Sequence, residues 1–179
     1  MHFDEGFIER CLNNDSRAQE ELYQRFAPKM YGVCLRYTKN QMEAEDILQE
    51  GFIRVFRHLK DYRNEGSLEG WIRRTIVNTA INFYKKRIKF QQDVSLDQTE
   101  PISNEEENAL DKLSAMELLA CIKELPDGYR MVFNLNVIEG YTHKEIGDML
   151  NISENTSKSQ LSRARSVLQG KLKKRIKGD

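Results

Sequence analysis

Apolar residues recur every three or four positions along most of the chain, the spacing of α-helices that bury one face. A short helix over residues 5–12 and three longer helices are predicted for the first half. The long helices carry Leu22, Phe26, Met30, Val33 and Tyr37; then Ile47, Leu48, Phe52, Val55, Phe56 and Leu59; then Leu68, Trp71, Ile72, Ile76, Ala80 and Phe83. Residues 16–19 (SRAQ) form a capping-box pattern, and Asn40 can start the second long helix. Residues 62–67 (YRNEGS) predict a loop.

The helical period is lost over residues 89–107 (KFQQDVSLDQTEPISNEEE), where Pro101 lies among acids. This composition predicts a flexible acidic linker. Apolar spacing resumes at Leu110, and a further helix opens at residues 125–127 (LPD) and ends at Gly140. Strand-like alternation is almost absent. We therefore predict an all-α chain of two small helical domains, residues 1–90 and 108–179, joined by a linker over 91–107.

Residues 141–168 (YTHKEIGDMLNISENTSKSQLSRARSVL) have the pattern of a helix-turn-helix motif. Thr142 and Glu145 fit a capping box, residues 151–153 supply a turn, and Ser153 or Asn155 can cap the second helix. By its spacing, that helix is predicted to bury Leu161, Ala164, Leu168 and Leu172. Its other face is predicted to show Thr156, Ser157, Lys158, Ser159, Gln160, Ser162, Arg163 and Arg165.

These short polar and basic side chains suit a helix that enters the major groove of DNA. Gln and Arg can bond base edges, while Lys, Ser and Thr suit phosphates. The alternative is a solvated basic helix that closes a helical bundle. Agreement of the cap, the turn and the polar helix face favours DNA binding.

The charge distribution supports two domains, although the formal net charge is zero. Residues 1–90 hold 16 Lys/Arg against 13 Asp/Glu, residues 91–127 hold 2 against 10, and residues 128–179 hold 10 against 5. Two basic parts are thus joined by an acidic segment. Blocks of this kind commonly mark a domain boundary, and basic blocks favour nucleic-acid partners.

Composition excludes several classes of protein. No apolar run approaches the roughly 18 residues of a membrane span, and the N-terminus has no signal-peptide pattern, so we expect a cytoplasmic protein without membrane insertion. Cys11, Cys34 and Cys121 form no CxxC pair, and we interpret them as buried thiols in a reducing compartment. The three His residues are scattered. We therefore expect no metal site, no cofactor and, without a nucleophile–base pair or phosphate loop, no enzyme.

One outer helix face in the first half has the features of a protein-docking surface. Asp46, Gln49, Glu50 and Ile53 lie opposite the core stripe at spacings i, i+3, i+4 and i+7. An exposed Ile among carboxylates fits a protein interface better than plain solvent. The alternative is an ordinary solvated face with one stray Ile.

The third long helix has a basic outer face instead. Six Lys/Arg and no acid occur from Trp71 to Lys89, on a face with Arg73, Arg74, Asn78, Asn82, Lys85, Lys86, Arg87 and Lys89. The preceding loop holds Tyr62, Arg63 and Asn64. Aromatic, amide and cationic groups together suit single-stranded or unstacked DNA. Tyr62 and Trp71 could equally be core aromatics, and Trp71, on the apolar stripe, fits the core better.

Two segments resemble the sigma-70 family of RNA polymerase sigma factors. Residues 43–87 (EAEDILQEGFIRVFRHLKDYRNEGSLEGWIRRTIVNTAINFYKKR) are similar to its regions 2.2 to 2.4, and residues 125–168 are similar to its region 4. With only a short linker between them, the chain resembles the extracytoplasmic-function (ECF) group.

The resemblance implies residue roles. Asp46, Gln49, Glu50 and Ile53 would dock on the clamp coiled coil of the polymerase β′ subunit. Loop residues Tyr62, Arg63, Asn64 and Ser67 would capture a base flipped out of the −10 element, and Arg74, Asn78 and Asn82 would contact the melting strand. Thr156, Ser157, Lys158, Ser159, Gln160, Arg163 and Arg165 would face the −35 element, while the flank of region 4 meets the β flap.

The chain departs from the family at two of these positions. Many members have Asp where Asn82 stands, and an apolar residue is frequent at the position of Ser157, which we expect to face outward here. The resemblance also implies promoter DNA, core polymerase and an anti-sigma protein as partners. Two alternatives stay open: a conventional helix-turn-helix regulator with a helical N-terminal domain, and an all-helical adaptor that does not bind DNA.

Overall fold

A computed structural model of the chain describes residues 5–94 and 115–176. The described residues form two compact units that divide between Phe83 and Tyr84. The described ranges contain helices and no strand, which confirms the all-α prediction. The helices are α1 (Glu5–Leu12), α2 (Ser16–Tyr37), α3 (Gln41–His58), α4 (Leu68–Val94), α5 (Ala115–Lys123), α6 (Asp127–Phe133), α7 (His143–Leu150) and α8 (Glu154–Ile176). A 3₁₀ turn, Leu59–Asp61, follows α3, and a π-helical segment, Asn134–Ile138, follows α6.

The first unit is organised around α2 and α3, which pack along one another, while α1 packs on α2. The predicted apolar stripes form its core, with Leu22, Val55 and Ile76 fully buried. Gly51 lets α3 and α4 approach closely, because a Cβ at this position would overlap Cδ1 of Ile76. Burial of these stripes holds the outer faces of α3 and α4 in fixed orientations.

In the first unit, side-chain caps fix the starts of α2 and α3. The Asn40 side chain accepts from the Glu43 backbone N–H at 2.8 Å, as predicted for α3. The predicted capping box at residues 16–19 is wrong. Asp15 caps α2 instead, and its Oδ1 accepts from Arg17 N at 2.9 Å and from Ala18 N at 3.3 Å. A carboxylate at a helix N-terminus is favoured over a hydroxyl by the helix dipole.

In the second unit α8 packs against α5, α6 and α7. One core cluster joins Cys121, Ile122 and Leu125 to Ala164, Leu168 and Leu172 of α8. Its rim includes Tyr129 and Phe133 of α6. The apolar spacing of α8 therefore serves as predicted, because it seats one face of the helix on the rest of the unit and leaves the other face outside.

The turn between α7 and α8 is tightly built. Thr142 and Glu145 form the predicted capping box, and Ser153 Oγ caps α8 by accepting from Thr156 N at 3.0 Å. Asn151 ends α7 in the left-handed conformation at φ +59°, which Asn tolerates well. A Cβ at Gly147 would lie 2.8 Å from the Ile152 backbone oxygen, so only Gly fits this crossing.

The remaining sequence expectations concern thiols, the linker and the membrane. Cys11, Cys34 and Cys121 are free and buried, and burial raises the pKa of the Cys34 thiol to about 12. Helix α4 runs to Val94, four residues into the predicted linker, and the rest of that linker lies outside the described residues. None of the described helices is both long enough and apolar enough to cross a membrane.

Candidate nucleic-acid and polymerase interfaces

The outer face of α3 exposes apolar side chains among acids. Asp46 and Gln49 are exposed, Glu50 is partly exposed, and Ile53 keeps 48% of its surface accessible. Arg54 Nε donates to Glu50 Oε1 at 2.8 Å and orients that carboxylate. Met42, which the sequence analysis missed, is 71% exposed and lies on the same face at i−4 from Asp46. We call Met42, Asp46, Gln49, Glu50 and Ile53 the α3 face.

An aromatic cluster adjoins this surface. Tyr23 of α2 is 41% exposed, and its ring lies edge-on to Phe52 with centroids 4.7 Å apart. Phe56, half-buried, lies 6.2 Å from Phe52. Tyr23 adjoins the buried Leu22 in sequence, so periodicity alone could not distinguish it from a solvated residue. Its edge contact adds α2 to the apolar surface that a partner protein can cover.

The loop between α3 and α4 forms one wall of a cavity of about 400 Å³ in the first unit. Tyr62 fixes the loop, because its hydroxyl donates to Gly66 O at 2.8 Å and lies 3.1 Å from Asn64 Oδ1. Asn64 and Gly66 both have positive φ, at +58° and +101°. The whole cavity is lined by Ile8, Arg25, Phe26, Lys29, Tyr62, Asn64, Gly66, Ser67, Leu68 and Glu69. We call this hollow the loop pocket.

The loop pocket brings together residues that the sequence analysis kept apart. Arg25 and Lys29 of α2 line it, and the Lys29 ammonium pairs with Glu69 at 2.9 Å. Ser67 Oγ accepts from Gly70 N at 3.1 Å and so fixes the start of α4. Trp71 is half-buried, and its ring is tilted against the ring of Tyr62 with the two centroids 5.8 Å apart. Arg63, although it belongs to the loop, is exposed and does not line the pocket.

The outer face of α4 continues from the loop. Arg74 and Asn78 are exposed one turn apart, whereas Asn82 is half-buried. Lys85, Lys86 and Lys89 are exposed further along the helix. Arg74 and Asn78 therefore offer their polar groups to solvent on this face, and Asn82 presents less of its amide.

The outer face of α8 exposes cationic and short polar side chains. Lys158, Ser159, Arg163 and Arg165 are exposed, as predicted, together with Ser162. Asn155, in the first turn, is exposed too, although the sequence analysis considered it only as a cap. Lys158 Nζ lies 2.7 Å from Glu154 Oε1. Thr156 is half-buried beside the Ser153 cap.

The prediction that Ser157 faces outward is wrong. Ser157 is fully buried, because it precedes Leu161, Ala164 and Leu168 on the same stripe at i, i+4, i+7 and i+11. Its hydroxyl lies 2.9 Å from Nδ1 of His143, the first residue of α7. The pair supplies the hydrogen bond that a buried hydroxyl needs and joins α7 to α8.

Gln160 lies on the flank of α8 that faces α6, and not on its outermost face. A Cβ at Gly128 would be 3.2 Å from Gln160 Nε2, and Gln160 Oε1 is buried without a hydrogen-bond partner among the described residues. Arg163 is exposed nearby, with Nη1 donating to the Tyr129 hydroxyl at 3.4 Å. Gln160 is therefore less available to a base than its neighbours Ser159 and Arg163.

Comparison with known proteins identifies the class to which these two units belong. The profile of sigma-70 region 2 matches residues 22–89, and that of sigma-70 region 4 matches residues 115–168. Together they cover more than half of the chain, in the family's order. The chain therefore belongs to the sigma-70 family of RNA polymerase sigma factors, in its ECF group. Proteins of this family direct promoter-specific initiation of transcription, and this chain is one of them.

Individual relatives agree with this assignment. The chain is 31% identical over 159 residues to the ECF RNA polymerase sigma factor SigE of Mycolicibacterium smegmatis, covering 87% of this chain and 62% of that longer protein. It is 26% identical over 176 residues to the RNA polymerase sigma-H factor of Pseudomonas aeruginosa, covering 92% and 91%. It is also 26% identical over 185 residues to the ECF RNA polymerase sigma-E factor of Escherichia coli, covering 97% and 96%.

A solved structure shares the fold. The sigma factor RpoE of Bartonella quintana, solved in complex with the anti-sigma factor NepR, aligns with a TM-score of 0.51 at 19% identity. The alignment covers 86% of this chain and 96% of that one.

Proposed function

We propose that this sigma factor binds core RNA polymerase through the α3 face and reads a promoter with two different DNA-contacting surfaces. The first domain, residues 1–90, holds the −10 element, and the second, residues 108–179, reads the −35 element. The segment 91–107 is the tether between them. The observation that carries the proposal is that one chain holds both a hollow beside a basic helix and a protruding basic recognition helix.

The loop pocket suits a base that has left the stack. Tyr62 supplies an aromatic surface, and Asn64 and Ser67 supply polar groups at the wall. Stacking of a base on an aromatic ring is worth roughly 1–3 kcal/mol, which offsets the few kcal/mol needed to unstack a base from duplex DNA. Arg63, Arg74, Asn78 and, to a lesser degree, Asn82 then contact the separated strand. Melting is favoured because duplex DNA cannot present this base.

The outer face of α8 suits intact duplex DNA. Six side chains are exposed on this face and are open to a DNA groove: Asn155, Lys158, Ser159, Ser162, Arg163 and Arg165. Thr156 and Gln160 border this face, and Ser157 acts from within the unit as a support. The flank of this domain contacts the β flap. The protein needs no catalytic group, cofactor or metal of its own for this role, and it acts in the cytoplasm where the polymerase works.

The test of the proposal is core binding by the double variant Asp46→Ala/Glu50→Ala. Both residues lie on a helix surface where Ala preserves helicity, so the variant should fold. We expect loss of co-migration with core polymerase on a sizing column and loss of promoter-dependent transcription. The matched control is Glu9→Ala/Glu21→Ala, which removes two exposed acids from α1 and α2 and should bind core normally.

Two outcomes would count against the proposal. Core binding that survives the double substitution would exclude the α3 face as the docking surface. Operator-like DNA binding that needs no core enzyme, with the chain never entering the polymerase, would favour a conventional helix-turn-helix regulator.

We also propose that an anti-sigma protein restrains this factor, as the ECF group implies. The α3 face is the surface such a protein gains most by covering, because docking on the polymerase needs it. A protein that co-purifies with the tagged chain should, when added to a transcription reaction, lower initiation in proportion to its amount. Recovery of a bound protein that leaves initiation unchanged would argue against this role.

A further inference from the structure

The recognition helix carries one acid, and it lies on the DNA-facing side. Glu154 is the only Asp or Glu in the sequence of α8, at its first residue. Its Oε1 lies 2.7 Å from Nζ of Lys158, one turn further along the same face. Both side chains stay about half exposed. The ion pair is therefore at the surface that duplex DNA would approach.

The surroundings of Glu154 are cationic. Its pKa is lowered, chiefly by the hydrogen bond from Lys158 and by the charge of that lysine, with smaller contributions from His143 and Lys144 at the start of α7. The contact between His143 and Ser157 places the start of α7 beside the first turns of α8. Glu154 thus offers its negative charge to the same basic groups that a DNA phosphate would use.

A lysine cannot satisfy both anions at once. When a phosphate takes Lys158, the Glu154 carboxylate loses its hydrogen bond and is left close to a second negative charge. Both effects lower the affinity for any duplex by a similar factor, because every duplex carries the same phosphates. Glu154 reads no base in this account.

We propose that Glu154 is an internal competitor of the DNA backbone for Lys158, which weakens duplex binding by the free factor whatever the sequence. The inference rests on the proposed function, in which α8 meets duplex DNA. Its consequence is that the free factor binds any duplex about twofold to fivefold less tightly than it would without this carboxylate. A factor that binds genomic DNA poorly on its own stays available to the polymerase.

The test measures binding of the full chain to a short, fluorescent, random-sequence duplex by anisotropy, over salt from about 50 to about 200 mM. The variants are Glu154→Gln, Lys158→Gln and the double variant. Asp148→Asn is the matched control, because it removes one exposed acid from α7 outside the pair.

We expect Glu154→Gln to bind about twofold to fivefold more tightly at the lowest salt, the range of an exposed ion pair. The slope of log affinity against log salt should steepen by about 0.9, for one more phosphate contact. Lys158→Gln should weaken binding. In that background Glu154→Gln should add less than half of its gain in the wild type, because only the repulsion between carboxylate and phosphate is left. Asp148→Asn should change affinity by less than half as much.

Several results would overturn the inference. These are an unchanged affinity in Glu154→Gln, an equal gain in Asp148→Asn, or an undiminished gain from Glu154→Gln in the absence of Lys158. An effect confined to one base of a selected −35 duplex would show that Glu154 reads a base instead. Absence of salt-dependent duplex binding by every protein, wild type included, would overturn the DNA-binding role of α8 and this inference with it. This outcome can be told apart from the others, because in all of them the wild type still binds duplex DNA in a salt-dependent way.

Discussion

The two surfaces that we propose to contact DNA differ in shape more than in charge. The loop pocket of the first unit is concave, with an aromatic ring and an amide at its wall, whereas the outer face of α8 is a protruding row of short polar and basic side chains. Both surfaces are basic. The hollow suits a base that has left the helix, and the protrusion suits a groove whose bases stay paired.

The supports of the two surfaces differ as well. The loop is held by hydrogen bonds within itself, from Tyr62 to Gly66 and from Gly70 to Ser67. Helix α8 is held from beneath, by its apolar stripe and by the contact of Ser157 with His143. Substitutions in the first unit should therefore affect melting, and substitutions beneath α8 should affect duplex binding. The predictions below test this division, from the largest expected effect to the smallest.

Removal of the Tyr62 ring should have the largest effect. Tyr62→Ala should lower promoter opening by about fivefold to about 150-fold, since stacking of one base is worth roughly 1–3 kcal/mol. Opening is measured with 2-aminopurine in the −10 element of a promoter bound by the holoenzyme. Tyr62→Phe keeps the ring and loses only the hydroxyl contacts, so its defect should be smaller. If Tyr62→Ala lowered binding of a −35 duplex as much as it lowered promoter opening, the proposed separation of the two surfaces would be contradicted.

Closing the space at Gly147 should destabilise the second unit alone. Gly147→Ala places a Cβ 2.8 Å from the Ile152 backbone oxygen, and such overpacking costs about 1–3 kcal/mol. Urea unfolding is followed by alkylation of the buried thiols, with each cysteine resolved by peptide mass spectrometry. Cys121 should react at lower urea concentration than in the wild type, while Cys11 and Cys34 should react as before.

The control for this prediction is Gly170→Ala, because a Cβ at Gly170 meets nothing within 4 Å. Ala in place of a helical Gly should raise stability by roughly 0.5–1 kcal/mol. Earlier reaction of Cys34 in Gly147→Ala would mean that the two units do not unfold separately, contrary to the account.

The contact between Ser157 and His143 should have the smallest effect of the three. Ser157→Ala removes one partner and should lower the free energy of unfolding of the second unit by about 1 kcal/mol. A double-mutant cycle with His143→Ala, followed by the same alkylation assay, should show non-additive effects. Ser162→Ala, at an exposed position of α8, should change stability little. Strictly additive effects at Ser157 and His143 would mean that the pair does not support α8.

Features that depend on local rules were predictable from the sequence. The caps at Asn40, Thr142 and Ser153 follow from a side-chain acceptor two or three residues before its backbone donor, and the apolar stripes follow from the period of a helix. The α2 cap was missed because two adjacent residues, Asp15 and Ser16, can each fill the role. The exposed stripe of the α3 face was predicted in part, and Met42 was missed because it lies in the first turn of α3, one turn before the stripe that begins at Asp46.

Features that depend on contacts between distant residues were not predictable. The hydrogen bond of the buried Ser157 hydroxyl depends on His143, 14 residues earlier, and the close approach of Gln160 to α6 depends on the absence of a side chain at Gly128. Arg25 and Lys29 reach the loop pocket from α2, about 40 residues before the loop that forms its other wall. Periodicity places a residue on a face of its own helix and carries no information on which element covers that face.

The most direct test of the central claim is transcription by core RNA polymerase from a library of randomised promoters, with sequencing of the transcribed templates. We expect two short motifs at a fixed separation. Tyr62→Ala should weaken selection of the downstream motif, and Arg163→Ala should weaken selection of the upstream one. A single motif, a palindrome, or transcription no different from that of core enzyme alone would contradict the account.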